Sequence, residues 1–95
     1  MKYRYTTKQG QFETNFYSKI PWNDLHSIND EPAFEDFSNG FKQWYFEGKI
    51  HRESGPARIN NSSVAFWLNN KLLSFEEWCE EHPNKTALAI YLLKN

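Results

Sequence analysis

The chain has 95 residues and a net charge of -1, and 18% of it is aromatic, with four Trp, five Tyr and eight Phe, against a mean hydropathy of -0.83. One domain of this size, 1–95, buries about 60 to 70% of its unfolded surface; large rings supply most of that burial, which excludes disorder and a second independent domain. The single cysteine, Cys79, excludes a disulfide scaffold and points to a reducing, cytoplasmic setting.

The opening MKYRYTTKQG has no apolar run behind it and is not a secretory signal. The longest apolar stretch, ALAIYLL at 87–93, is far shorter than the ~20 residues that span a bilayer, so no membrane partner is expected. Charge is striped: +2 over residues 1–29, -4 over 30–40, +3 over 41–73 and -2 over 74–95. The total therefore neither favours nor excludes a charged partner.

In chain order, YRYTT and QFETNF alternate around Lys8-Gln9-Gly10 and predict a β-hairpin. Residues 18–32 read as a loop broken by Pro21 and Pro32, with a helical turn after Pro21 that pins Trp22, Leu25 and Ile28 to the core. An internal echo follows. Residues 31–50 and 55–72 both run x-Pro-Ala, an extended piece, a turn, an aromatic pair, a two-residue turn, then Lys and an aliphatic. Trp44-Tyr45 aligns with Phe66-Trp67, Glu47-Gly48 with Asn69-Asn70, and Lys49-Ile50 with Lys71-Leu72, so each copy predicts strand, turn, strand, turn in one antiparallel sheet.

SFEE at 74–77 is a capping box. Phe75, Trp78, Cys79 and His82 make one face of the helix after it, and Glu76, Glu77, Glu80 and Glu81 the other. Pro83 stops this helix, Asn84 caps the next, and KTALAIYLLK is apolar almost all round: a lid over the sheet, or a homodimer surface. The fold class is α+β, with an N-terminal hairpin and loop (1–29), a two-copy hairpin repeat (30–73) and a helical cap (74–95).

WYFEGKIHRESGPA, residues 44–57, resembles a hairpin repeat of bacteriophage and other viral accessory proteins, in which Trp-Tyr, Asn-Gly-Lys and His-Arg-Glu-Asp-Gly-Pro-Ala recur in tandem, distantly similar to MORN-type repeats. Ser54 replaces the usual Asp, Asn69-Asn70 the usual Asn-Gly, and LLSFEEW stands where a second His-Arg-Glu is due. The resemblance implies a sheet fold and a viral setting. It brings no catalytic residue and no cofactor.

His51-Arg52-Glu53 holds a base, a cation and a carboxylate, the materials of acid–base chemistry. Neighbours on a strand alternate faces, however. The structural alternative has His51 bonding a turn backbone and Arg52 forking onto Glu53, Asp36 or Glu35. Cys79 and His82 have metal-ligand spacing but no further cysteine, so no metal site is assigned. Lys42, Lys49, Arg52, Arg58 and Lys71 interleave with Trp44, Tyr45, Phe46, Phe66 and Trp67, which suits a nucleic-acid-binding face. Glu76, Glu77, Glu80 and Glu81 offer an acidic face to a basic partner. The expectation is non-catalytic binding of a host defence protein (a toxin, nuclease or restriction system) through Lys42, Lys49, His51, Arg52, Arg58 and Lys71, with RNA or single-stranded nucleic acid as the alternative ligand.

Overall fold

A computed structural model describes residues 2–94. It is α+β: hairpins form a seven-stranded antiparallel sheet and, contrary to the expectation of a single sheet, a separate two-stranded ribbon, followed by two C-terminal helices. β1 (Tyr3–Thr7) and β2 (Gly10–Thr14) form the N-terminal hairpin. β3 (Phe34–Asp36), β4 (Phe41–Gln43), β5 (Tyr45–Phe46) and β6 (Lys49–Ile50) are the first repeat copy, and β7 (Arg58–Ile59), β8 (Val64–Leu68) and β9 (Lys71–Leu73) the second. Seven strands run in the order β2-β1-β3-β4-β7-β8-β9, while β5 and β6 split off as a two-stranded ribbon after Trp44.

The register sets which side chains share a face. One row crosses the sheet as Phe12, Tyr5, Phe34, Gln43, Arg58, Ala65. The adjacent row on the opposite face is Glu13, Arg4, Glu35, Lys42, Ile59, Val64. Two cores form on these opposite faces. Tyr3, Phe34 and Tyr45 pack with Ala33 and with Ile20 and Leu25 of the loop 15–33, covering the first face at the N-terminal half. Phe66, Leu68 and Leu73 pack under Trp78 on the second face at the C-terminal half.

Residues 17–33 form two short 3-10 turns, Tyr17–Lys19 and Trp22–Asp24. Leu25 is fully buried and Trp22 packs against the first core, as expected, but Ile28 is 39% exposed. The turn ends after three residues, so the helical spacing that would carry Ile28 inward is lost.

α1 (Phe75–Glu81) starts at the full capping box: the Glu77 N–H donates to Ser74 Oγ at 3.1 Å and the Ser74 N–H to Glu77 Oε1 at 2.9 Å. Trp78 is fully buried, and its indole N–H donates to the Arg52 carbonyl, tying the helix to the repeat. Truncating it to Ala is expected to cost about 3 to 5 kcal/mol. α2 (Lys85–Lys94) is capped by Asn84 Oδ1, which accepts from the Ala87 N–H. Contrary to its reading as a lid, it buries no residue completely. Leu88 and Tyr91 pack on the second core, while Ile90, Leu92 and Leu93 face outward. The buried cover is supplied by Trp78 of α1.

One backbone scheme recurs along the sheet. The Trp44 N–H donates to the Ala57 carbonyl and the His51 N–H to the Trp44 carbonyl. In the N-terminal unit the Thr6 N–H donates to Ala33 and the His26 N–H to Thr6 in the same way. The turns repeat too: Gly48 donates to the Leu25 carbonyl as Asn70 does to Ile50. The first hairpin is thus an additional unit of the stack rather than an element outside it.

Candidate functional site

The His-Arg-Glu triplet and its surroundings are the densest polar cluster. His51 Nδ1 accepts the Asn69 N–H at 3.0 Å, which places the ring proton on Nε2, where it donates to Glu53 Oε2 at 2.9 Å. His26 Nδ1 likewise accepts the Glu47 N–H at 3.1 Å. Glu47, Gly48, Asn69 and Asn70 all have positive φ, so each two-residue turn is of the primed hairpin type, with its first N–H capped by a histidine from the preceding unit.

Arg52 is turned to the other side and is satisfied within the chain. Nε and Nη2 fork onto the two carboxylate oxygens of Asp30, each at 3.1 Å, and Nη1 donates to the Pro56 carbonyl at 3.1 Å. The guanidinium carbon lies 3.9 Å from the centre of the Trp44 ring. The acceptor is therefore not Glu53, Asp36 or Glu35. Glu53 braces His51, Asp36 caps its own turn through the Ser38 N–H, and Glu35 pairs with Arg4 at 3.6 Å. Asp30 reaches Arg52 because Asn29 and Asp30 both take left-handed backbone, while the Asp30 carbonyl is held by the Trp44 indole N–H at 2.9 Å.

Burial pushes the Asp30 carboxyl up, but donation from Arg52 and Ser54 and the charges of Arg52 and Lys94 outweigh it and hold the group below the ordinary carboxylate value. A Cβ at Gly55 would sit 3.2 Å from Arg52 Nη1, so a side chain there would press on the guanidinium by a few tenths of an ångström. Ala57 is fully buried. Every residue of the HRESGPA string except Ser54, which adds a hydroxyl to Asp30, thus has a backbone or packing role in joining two units.

Beside the triplet lies an open groove of about 410 Å³, lined by Ser27, Asp30, Phe46, His51, Glu53 and Ala87 among others. No nucleophile in it is held by a free base: the nitrogens of His51 are given to Asn69 and Glu53. Both nitrogens of His82 are also used, Nε2 donating to the Glu53 carbonyl at 2.6 Å and Nδ1 accepting the Asn84 N–H at 3.1 Å. Among the described residues no cluster of three or more His, Cys, Asp or Glu could hold a metal.

The basic residues do not converge. Lys42 and Arg58 lie on opposite faces, because Lys42 pairs with Ile59 and Gln43 with Arg58. Lys71 pairs with Glu81 at 3.2 Å. Lys49 is exposed on the β5–β6 ribbon, across from Phe46. In the acidic set, Glu77 serves the cap and Glu81 meets Lys71, which leaves Glu76 and Glu80 exposed on α1. The Ser74 N–H and hydroxyl hold the Glu77 carboxyl below its ordinary value. The residues that sequence reasoning missed are His26 and Asp30. The signal for His26 was present in Leu25-His26 followed by Pro32-Ala33, an echo of Ile50-His51 followed by Pro56-Ala57.

No family model matches this sequence, and comparison with curated proteins and with solved structures gives no match. Among the described residues no helix is long and apolar enough to cross a membrane.

Proposed function

We propose that this chain is a small phage-type accessory protein that acts by non-catalytic binding and inhibits a host defence protein of the toxin, nuclease or restriction class. The observation that carries the non-catalytic reading is the internal use of the triplet. His51 caps a turn, Arg52 is neutralised by Asp30, and Glu53 orients His51, so the groups that would do acid–base chemistry are spent on holding two units together. The viral setting and the host target rest on the resemblance of residues 44–57 alone. The outward Ile90, Leu92 and Leu93 of α2 are a surface through which two copies pair.

The nucleic-acid reading ranks second. What favours it is Arg58 between the rings of Phe41 and Trp67; what weighs against it is the placement of Lys42 on the other face.

The test is affinity capture of the tagged chain from bacterial lysate, followed by reconstitution with the purified candidate and an assay of that candidate's activity. A stoichiometric complex that survives moderate salt and loses the partner's activity supports the reading. Recovery of nucleic acid alone, with a high 260/280 nm ratio and salt-sensitive gel shifts, overturns it in favour of the second.

A further inference from the structure

The two arginines that flank Gly-Pro differ in one respect. Arg52 has a carboxylate, a carbonyl and a ring. Arg58 has only rings: its guanidinium carbon is 5.2 Å from the Trp67 ring centre and 5.8 Å from that of Phe41. Among the described residues its guanidinium makes no hydrogen bond and no ion pair; Nε is closed from solvent with no acceptor, whereas Nη1 and Nη2 are not closed. Beside it the Trp67 indole N–H is also closed and without an acceptor. Nε and the indole N–H are closed by the packing, so the donors open to a partner are Nη1 and Nη2 of a cation held against two rings.

This spot lies on the uncovered part of the sheet. Arg58, Ala65 and Trp67 share the face that the loop 15–33 covers only at the N-terminal half, and Leu72, opposite Trp67, is 60% exposed. The helices cover the other face. The Nη1–Nη2 edge of a stacked, always-charged guanidinium, with the Trp67 ring beside it and Leu72 at the rim, is the donor pair that a planar carboxylate fits; Arg, Trp and an apolar rim are also what binding hot spots are made of.

We propose that Arg58 and Trp67 form a subsite for an aspartate or glutamate side chain of a partner protein, docked on the β7–β8–β9 face. The inference deepens the binding role given above and rests on it.

The test is a titration of the ¹⁵N-labelled full chain with N-acetyl-aspartate amide, against sodium chloride and inorganic phosphate at equal ionic strength, following the four indole N–H signals. The expected result is a saturable shift, with a dissociation constant of roughly millimolar, confined to Trp67 and absent from Arg58→Gln, whose remaining spectrum is unchanged. No saturable shift, an equal shift in Arg58→Gln, or a shift with phosphate but not with the carboxylate overturns the subsite. If Arg58→Gln is poorly folded, Arg58→Lys, which keeps the charge but loses the fork, must weaken the shift several-fold. A chain that captures no host protein but still shows the carboxylate shift loses the functional reading and keeps the subsite. A chain whose partner binds Arg58→Gln equally well does the reverse.

Discussion

The carboxylate of Asp30 accepts two hydrogen bonds from Arg52 across 22 residues of sequence, and that fork closes the joint between two repeat units. Asp30 is held below its ordinary value of 3.8. A depressed folded-state value means its contribution is fully present above the unfolded value and is lost as pH falls through the lower, folded one. Acid unfolding curves should therefore show Asp30→Asn as less stable than wild type near neutrality, with the difference shrinking below about pH 4. A difference that is constant down to the acid transition contradicts the assignment.

His51 and His26 are held as acceptors at Nδ1. Long-range ¹H–¹⁵N spectra of the imidazoles near neutral pH should place the proton of both rings on Nε2. A proton on Nδ1 in either ring is incompatible with the capped turns.

Gly48 has φ +80°, and a Cβ there would lie 2.3 Å from the Asn23 carbonyl oxygen. Gly48→Ala is expected to lose at least about 2 kcal/mol in chemical denaturation. Asn69→Gly, at φ 49° where glycine carries no Cβ penalty, should stay within about 0.5 kcal/mol of wild type.

Burial pushes the Tyr45 phenol from 10.0 to about 12, against the opposing charge of Arg58. A raised folded-state value stabilises below the unfolded value, and the stabilisation is lost as pH rises from 10 through 12. Tyr45→Phe should cost about 1 kcal/mol at neutral pH, since the buried Gln43 Oε1 loses its donor. The gap to wild type should narrow between pH 10 and 12, as read from denaturant midpoints.

Much of this architecture is legible before folding. Alternation places β1 and β2, the echo of 31–50 in 55–72 places the repeated hairpins though not the split of β5 and β6 from the sheet, and Ser74 with Glu77 marks the start of α1 to the residue. The site is less legible, for physical reasons. Arg52 finds Asp30 through a loop with two residues at positive φ, a conformation that strand alternation does not anticipate. The first hairpin joins the stack through backbone groups of Thr6 and Ala33, and the sequence trace of that joint lies in the loop after it, in Leu25-His26 followed by Pro32-Ala33, rather than in the hairpin itself. The two cores sit on opposite faces because different segments cover the two halves of the sheet, so a stripe of basic residues in the sequence is divided between faces in the fold. α2, apolar almost all round, packs Leu88 and Tyr91 on the second core and buries no residue completely, so its composition overstates its burial.

The central claim is that HRESGPA is a joint and not an active centre. It is tested most directly by urea unfolding of Arg52→Met, a substitution that keeps the apolar stem and removes the charge, the fork to Asp30 and the bond to the Pro56 carbonyl. The account predicts a stability lower by about 2 kcal/mol, read as a lower midpoint at an unchanged m-value. A variant as stable as wild type or more so would mean that Arg52 is retained for something outside the chain, as residues of functional sites often are.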